Sequence, residues 1–290
     1  MSVKDRVTGL VELTRPVNAV AAGFLTFIGA FVAVGADVTV VSAGIESPAV
    51  RTLAAGVTTV LATGGGNAIN DYFDRDIDRI NAPDRPIPRG AVSARGTLAF
   101  SVLLFALAAA FALLLPALAI GIAVFNLLAL VAYTEWFKGT PGFGNLLVAY
   151  LGGSTFLFGG AAVGDAAASA TLFLLAALST VSREVIKDVE DIAGDREEGL
   201  RTLPIAVGER RALLLASTAL VAAVLASPVP YLRETLGIAY LIAVLPADAL
   251  MLYAAYEGYS DPTASQTHLK YGMFLAAAAF IVGRVAVLVA

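Results

Sequence analysis

Long apolar stretches, separated by short polar segments, occupy almost the whole chain. A helix that crosses a bilayer needs about 20 consecutive apolar residues, and we count about nine stretches of that kind. They lie near residues 17–35, 48–69, 97–115, 117–136, 143–163, 167–185, 212–229, 236–256 and 270–289. The pattern predicts an all-α, polytopic membrane protein of about nine transmembrane helices.

Composition supports this prediction and narrows the chemistry. The chain is 58% hydrophobic and only 14% charged, with a mean hydropathy of +0.81, whereas soluble domains are about 45–50% apolar and about 25% charged. We therefore expect residues 1–290 to form a single membrane-embedded domain. There is no cysteine and only one histidine, His268, which excludes thiolate metal sites and imidazole clusters.

Basic residues alternate between loops in a way that predicts orientation. Lysines and arginines precede the first stretch or follow even-numbered stretches, whereas loops after odd-numbered stretches carry Asp37, Glu46 and Asp165, with Arg233 as the main exception. Cytoplasmic loops of membrane proteins are enriched in lysine and arginine. We expect a multi-pass protein of the cell membrane with its N-terminus inside and its C-terminus outside.

Two acidic motifs with the same D-x-x-D-x-x-x-D spacing follow the second and sixth stretches. The first is the segment from Asn70 to Asp78, and the second is the segment from Lys187 to Asp195. Carboxylates three and four residues apart share one face of a helix, and carboxylate oxygens hold divalent cations such as magnesium. The motifs predict two magnesium-binding helix ends on the cytoplasmic side, where two ions could bridge a diphosphate.

The polar loops that contain these motifs also resemble each other beyond the acids. Residues 70–96 contain Arg85-Pro86-Ile87-Pro88-Arg89-Gly90, and residues 186–211 contain Arg201-Thr202-Leu203-Pro204-Ile205. This similarity indicates two pseudo-repeats, roughly 1–136 and 137–290. The two acidic ends would then face each other across a central cavity.

The motifs are similar to those of the UbiA superfamily of intramembrane prenyltransferases. The stretch from Gly66 to Asp74, continued by Asp84-Arg85-Pro86-Ile87-Pro88-Arg89-Gly90, is closest to archaeal members that make digeranylgeranylglyceryl phosphate. The resemblance implies a UbiA-like fold and a Mg²⁺-dependent transfer of a geranylgeranyl group from geranylgeranyl diphosphate to geranylgeranylglyceryl phosphate, a phosphorylated glycerol lipid. The product would serve archaeal membrane ether lipids.

The resemblance also implies roles for the motif residues. Asn70, Asp74 and Asp78 would be ligands or polar partners of one magnesium ion, and Asp191 and Asp195 of the other, which makes these five the expected catalytic residues. Asp71 and Asp188 would support them in metal binding. Asn67 would extend the cluster toward substrate or simply pack, and Asp76 would be a solvated acid.

Basic and amide side chains around the motifs are candidates for substrate binding. Arg15 and Asn18 resemble an Arg-Pro-x-Asn element of the family that contacts phosphate, and Lys138 lies in a loop where the family places a diphosphate contact. Arg85, Arg89, Lys187 and Arg201 follow the acidic clusters closely enough to bind a diphosphate or an acceptor phosphate.

Other assignments remain open at this point. A UbiA-type enzyme could act instead on an aromatic acceptor, 4-hydroxybenzoate or 1,4-dihydroxy-2-naphthoate, in quinone synthesis. An ion exchanger is a further alternative, although exchangers place their charges near the bilayer midplane. Asp248 lies inside the eighth stretch, where a carboxylate is costly and indicates function by default, and Arg284 is predicted to snorkel. We expect contacts with membrane lipids and no nucleic acid partner.

Overall fold

The computed structural model describes residues 3–35, 46–137 and 139–289, and every regular element in these ranges is helical. Nine of the described helices have 16 or more residues, and they match the nine apolar stretches of the sequence in order. They are α2 (Pro16–Ala33), α3 (Pro48–Phe73), α5 (Ala94–Ala112), α6 (Ala117–Ala132), α7 (Phe143–Ala162), α8 (Ala166–Glu190), α11 (Glu209–Ala226), α13 (Ile238–Glu257) and α14 (Pro262–Leu288).

Seven of these helices are long and apolar enough to cross a bilayer by themselves. The other two are α3, whose sequence contains several threonines and glycines, and α6, which has only 16 residues before a π-helical turn continues it. Shorter elements connect the bundle. They are α1 (Val3–Leu13), α4 (Arg75–Asn81), the π-helix Tyr133–Phe137, α9 (Ile192–Glu197), α10 (Leu203–Val207) and α12 (Val229–Leu232).

Several helices begin at residues that satisfy their free backbone N–H groups. The Asp165 carboxylate accepts a hydrogen bond from the Ala168 backbone N–H at 3.0 Å, and Asp261 accepts one from Ala264 at 2.9 Å. Side-chain acceptors at this position are typical N-caps. Proline occupies the first turn of α2, α3 and α14, where no hydrogen bond is lost. The sequence thereby sets where these spans begin.

Glycine allows α2 and α7 to cross at very short distance. A Cβ atom at Gly29 would lie 2.1 Å from the Phe156 carbonyl oxygen, and one at Gly159 would lie 2.0 Å from the Thr26 carbonyl oxygen. Any larger residue would force the two backbones apart. Small residues at membrane helix interfaces permit this kind of packing.

Apolar side chains divide between the bundle interior and its outer surface. Ile28, Phe156, Leu172, Tyr240 and Phe280 form part of a buried core cluster. Many large apolar side chains of the long helices are exposed, among them Phe24, Leu103, Val124, Leu174, Leu225 and Ile242. Exposed apolar surface on this scale is the surface that lipid chains cover in a membrane protein.

Two charged residues within the spans have structural partners. Asp248 accepts a hydrogen bond from the Ser227 hydroxyl at 2.6 Å, and the Tyr240 hydroxyl donates to the Ser227 carbonyl oxygen at 2.6 Å. The prediction that Arg284 snorkels is wrong. Its side chain is buried and donates to the Val34 carbonyl oxygen at the end of α2, because a cation satisfies the free carbonyls of a helix C-terminus.

Candidate active site

The two acidic motifs form helix ends with the same local structure. In the first, α3 ends at Asp74 (φ −79°, ψ 0°) and α4 starts immediately afterwards. In the second, α8 ends at Asp191 (φ −88°, ψ 4°) and α9 follows. Backbone hydrogen bonds of 2.9 Å from Asp78 to Asp74 and from Asp195 to Asp191 continue the helical path. The acids of each motif therefore share one helical face, as their spacing predicted.

Arginines neutralise the first helix end. Asp71 and Asp78 are buried, and the Arg85 Nη1 atom lies 2.7 Å from Oδ2 of Asp78 and 3.5 Å from Oδ1 of Asp71. Arg15 reaches the same Asp71 oxygen with its Nη2 atom at 2.8 Å. Two of the predicted phosphate-binding arginines thus lie directly against the first motif, each with about a third of its side chain exposed.

The backbone of Arg15 adopts an unusual conformation. It has φ 47° and ψ 66° in the turn between α1 and α2, a left-handed conformation that non-glycine residues rarely adopt. Strain of this kind persists where the surroundings enforce it, and it is frequent at functional sites. The contact with Asp71 and the following Pro16 fix the arginine in this position.

Neutral side chains donate hydrogen bonds to the acids of the second helix end. The Asn145 amide donates to Oδ2 of Asp188 at 2.8 Å, and the Thr202 hydroxyl donates to Oδ2 of Asp195 at 3.0 Å. Removal from bulk water raises the pKa of Asp191 above its ordinary value, an effect that the charge of Lys187 opposes. A carboxylate that is costly to ionise in this setting would gain from a bound cation.

The two helix ends lie next to each other. The Asn81 side chain at the end of α4 donates to Oε1 of Glu198, just after α9, at 3.1 Å. The Tyr133 hydroxyl lies close enough to Asp74, Asp188 and Glu184 for all three charges to act on it. Tyr133 begins the π-helix, and π-helical turns often occur at functional sites. The two helix ends are therefore adjacent in the structure.

The first helix end also contains an oxygen suited to a cation. Asn70 Oδ1 is buried, and no donor among the described residues hydrogen-bonds to it. Within residues 3–35, 46–137 and 139–289, no three acidic or histidine side chains converge into a complete metal site. Magnesium does not need such a cage, because it takes one or two carboxylates and keeps water and substrate phosphate as further ligands. The donor set fits a magnesium ion held jointly with a diphosphate.

The remaining predicted substrate-binding residues vary in position. The Arg89 guanidinium binds Glu12 at 2.6 Å and the Asp84 carbonyl oxygen at 2.8 Å, so the acids of the motif do not hold it. Asn67 donates to the Thr14 carbonyl oxygen at 2.9 Å, which favours the packing interpretation. Lys138 lies outside the described residues.

Three further candidates are exposed near the site. Lys187 lies close enough to Asp188 and Asp191 to influence both charges. The Arg201 backbone N–H donates to the Gly139 carbonyl oxygen at 3.1 Å, which ties the second loop to the loop after the π-helix. Asn18 is exposed one turn into α2. Asp76 is two-thirds exposed and lies 3.1 Å from Arg79, as expected for a solvated acid.

Sequence reasoning missed four residues of the site. Asn145, Thr202 and Tyr133 contact or adjoin the acidic motifs through the tertiary fold, whereas Glu184 lies one helical turn before Asp188 on α8. A weak signal existed for two of them, since Asn145 and Glu184 are polar residues within otherwise apolar stretches. A polar side chain in such a place requires a partner.

Comparison with known families decides the class of this site. The UbiA prenyltransferase family matches residues 22–278. The chain belongs to this family. The match includes both acidic motifs, seven of the nine long helices in full, and parts of α2 and α14.

Similar UbiA proteins match the chain over almost its full length. Digeranylgeranylglyceryl phosphate synthase of Natronomonas pharaonis is 62% identical over 98% of this chain and 99% of its own. The protein of the same name from Methanosarcina mazei is 42% identical over 94% and 97%.

Solved UbiA structures share the fold. A structure described as digeranylgeranylglyceryl phosphate synthase in membranes superposes with a TM-score of 0.83 at 34% identity, covering 97% of this chain and 99% of the other. A UbiA homolog from Archaeoglobus fulgidus, bound to DMAPP and Mg²⁺, has a TM-score of 0.66 at 17% identity over 94% and 97%. At that identity the second likeness concerns the fold alone.

Proposed function

We propose that this UbiA prenyltransferase moves a geranylgeranyl group from geranylgeranyl diphosphate to geranylgeranylglyceryl phosphate and so makes digeranylgeranylglyceryl phosphate. The name carried by relatives with 62% and 61% identity over nearly whole chains supports this substrate pair. The proposal concerns two prenylated, phosphorylated substrates, both of which need a membrane-embedded site with charge at one end.

One observation carries the proposal: two equivalent acidic helix ends lie side by side, joined by Asn81 and Glu198, with Arg15 and Arg85 against one of them. Acids hold magnesium, and arginines hold phosphate oxygens in a bidentate way. A donor diphosphate and an acceptor phosphate together supply the anions that both kinds of group bind.

Asn70, Asp74 and Asp78 would hold one magnesium ion, and Asp191 and Asp195 another, with Asp71 and Asp188 in support. When bound, magnesium neutralises the diphosphate, so that the bond from its oxygen to the allylic carbon breaks more easily. The Archaeoglobus fulgidus homolog, which shares the fold, binds DMAPP and Mg²⁺.

Arg15 and Arg85 would hold phosphate oxygens while they keep their contacts with the motif. Each guanidinium carries five N–H donors, and the pairs with Asp71 and Asp78 engage only part of this capacity. Because both arginines are partly exposed, an anion can reach the remaining donors. The acids orient the guanidinium groups in this arrangement, which lowers the entropy cost of binding.

The apolar helices would hold the prenyl chains and exclude water from the allylic cation that forms as the diphosphate leaves. The loops that carry both motifs contain most of the lysines and arginines, which supports an active site that faces the cytoplasm.

An acceptor competition tests the proposal. Purified protein with labelled geranylgeranyl diphosphate and magnesium should consume geranylgeranylglyceryl phosphate and leave 4-hydroxybenzoate and 1,4-dihydroxy-2-naphthoate unreacted. Product analysis by chromatography identifies the acceptor. Transfer to an aromatic acceptor instead would assign the chain to quinone synthesis, and transfer to none would overturn both assignments.

A further inference from the structure

A further acidic residue, Glu184, lies on the motif-bearing helix α8 but outside both motifs. It precedes Asp188 by four residues, so the two carboxylates share one helical face and Glu184 lies about 6 Å farther from the acidic helix end. Its side chain is only 14% exposed. The flanking Ser182 and Val185 are buried on other faces of the helix.

Glu184 shares its helical face with Asp188, which accepts a hydrogen bond from Asn145 on α7, so this face of α8 is turned toward the neighbouring helix and the motif. Its charge also acts on the Tyr133 hydroxyl, together with those of Asp188 and Asp74. Arg183 donates from Nη1 to Oε1 of Glu184 at 2.7 Å.

The depth of Glu184 corresponds to the position of the reacting atoms. A donor whose diphosphate lies at the acidic helix ends places its hydrocarbon chain in the apolar bundle. The allylic carbon, which is attached to the diphosphate, then lies just below the motifs, at the level of the residue one turn deeper on α8. The acceptor hydroxyl must approach this carbon and lose its proton.

The motif acids near this position have partners of their own, as Glu184 has in Arg183. Asp71 and Asp78 are paired with arginines, and Asp188 and Asp195 accept hydrogen bonds from Asn145 and Thr202. These acids also belong to the metal-binding sets proposed above. Glu184 belongs to neither motif and is therefore not engaged by a proposed metal ion.

We propose that Glu184 is the general base that accepts the proton of the acceptor's glycerol hydroxyl, an inference that rests on the proposed function. The hydroxyl oxygen forms the new bond to the allylic carbon, and the bond from that carbon to the diphosphate oxygen breaks. Its electron pair leaves with pyrophosphate. The hydroxyl proton moves to the Glu184 carboxylate and from there to water at the cytoplasmic mouth of the site.

Glutamine and aspartate substitutions at Glu184 distinguish the loss of a basic carboxylate from a change in side-chain shape. Glu184→Gln keeps the shape but removes the base, so the kcat of transfer should fall by about 100-fold or more, in the range that general-base catalysis contributes. Glu184→Asp keeps the carboxylate and should retain a larger fraction of kcat than the glutamine variant. Binding of labelled geranylgeranyl diphosphate in the presence of magnesium should change less than about threefold in both.

Glu257→Gln is a matched control, because Glu257 is also 14% exposed and paired with a basic residue, His268, yet lies on α13 outside the site. Its kcat should equal that of the wild type. Full kcat in Glu184→Gln, or more activity in the glutamine than in the aspartate variant, would overturn the proposal. Loss of donor binding together with kcat would also overturn it, since Glu184 would then serve the metals. Transfer by the wild type is measured in the same assay, so failure of the proposed function is seen separately.

Discussion

The two acidic helix ends have the same backbone and the same acid spacing but different neighbours. At the first, Arg15 and Arg85 are paired with the buried Asp71 and Asp78. At the second, an amide and a hydroxyl, from Asn145 and Thr202, donate to the acids. The shared spacing of the acids gives both helix ends the same local geometry. The residues packed against each end differ, and they determine its electrostatic environment.

This difference indicates a division of labour. The first end combines acids with two guanidinium groups and can hold both a cation and phosphate oxygens. The second end keeps more uncompensated negative charge and suits a cation alone. Both are needed if one diphosphate lies between them.

The largest expected effect is the loss of turnover when the acid between the two helices of either motif, Asp74 or Asp191, is removed. Asp74→Ala and Asp191→Ala should each lower turnover by much more than tenfold, since each removes a ligand proposed for a different metal ion. Labelled-donor assays measure this, with Asp76→Ala as the control because Asp76 is two-thirds exposed. If either variant kept more than about a tenth of the wild-type rate, a loss of under ~1.4 kcal/mol in transition-state stabilisation, that end would not be catalytic.

Arginine substitutions sharpen the comparison by testing the phosphate role of the first end. Arg85→Ala should raise the acceptor KM by about 10–100-fold, the value of a charged hydrogen bond of about 1.5–3 kcal/mol, and the donor KM less. Arg89→Ala should change the acceptor KM by less than about threefold, because Glu12 and Asp84 hold Arg89. Steady-state kinetics of both variants, with glycerol lipids that have or lack the phosphate, measure these KM changes. Equal turnover of both lipids would contradict a role of the first end in binding the acceptor phosphate.

Stability should respond differently at the two ends. Asp71→Asn leaves Arg15 without its counter-charge, whereas Arg85 keeps its pair with Asp78, and should lower the apparent melting temperature by roughly 2–10 °C, for a loss of about 1–3 kcal/mol. We place the loss below that of a fully buried pair because both arginines are partly exposed. Asp188→Asn should lower the melting temperature less, since its partner Asn145 is neutral. Thermal unfolding in detergent measures both, and a larger loss for Asp188→Asn would reverse the comparison.

The smallest effect is expected from cysteine labelling, which tests only on which side the two ends lie. Single cysteines at Ala82 and Ala193 should react with impermeant reagents from the same, cytoplasmic face. A cysteine at Ala167, which is exposed at the opposite end of α8, should react from outside. The natural chain has no cysteine, so background labelling is absent. Opposite faces for Ala82 and Ala193 would contradict a shared site.

The sequence predicted the features that depend on periodicity and spacing. The nine long helices and the helical faces of both motifs follow from these local patterns. It did not predict that Arg15 would reach Asp71 across 56 residues, or that Asn145 would reach Asp188 across 43. Contacts of that kind depend on which helices pack together.

Charged residues in the spans show the same limit. The depth of Arg284 along its helix suggested snorkelling, but the neighbouring end of α2 provides a carbonyl partner inside the bundle. Glu184 carried a signal of its own, as an acid in an apolar stretch. Its position relative to Tyr133 required the fold.

The most direct test of a single site shared by both helix ends is a double-mutant cycle on donor binding. Magnesium-dependent affinity for labelled geranylgeranyl diphosphate would be measured for the wild type, Asp74→Ala, Asp191→Ala and the double variant. If both ends hold one diphosphate, each single variant should lose most of the affinity, and the double variant should be weaker than either by less than about threefold. Losses that multiply independently would show no coupling, and the two ends would then be separate sites.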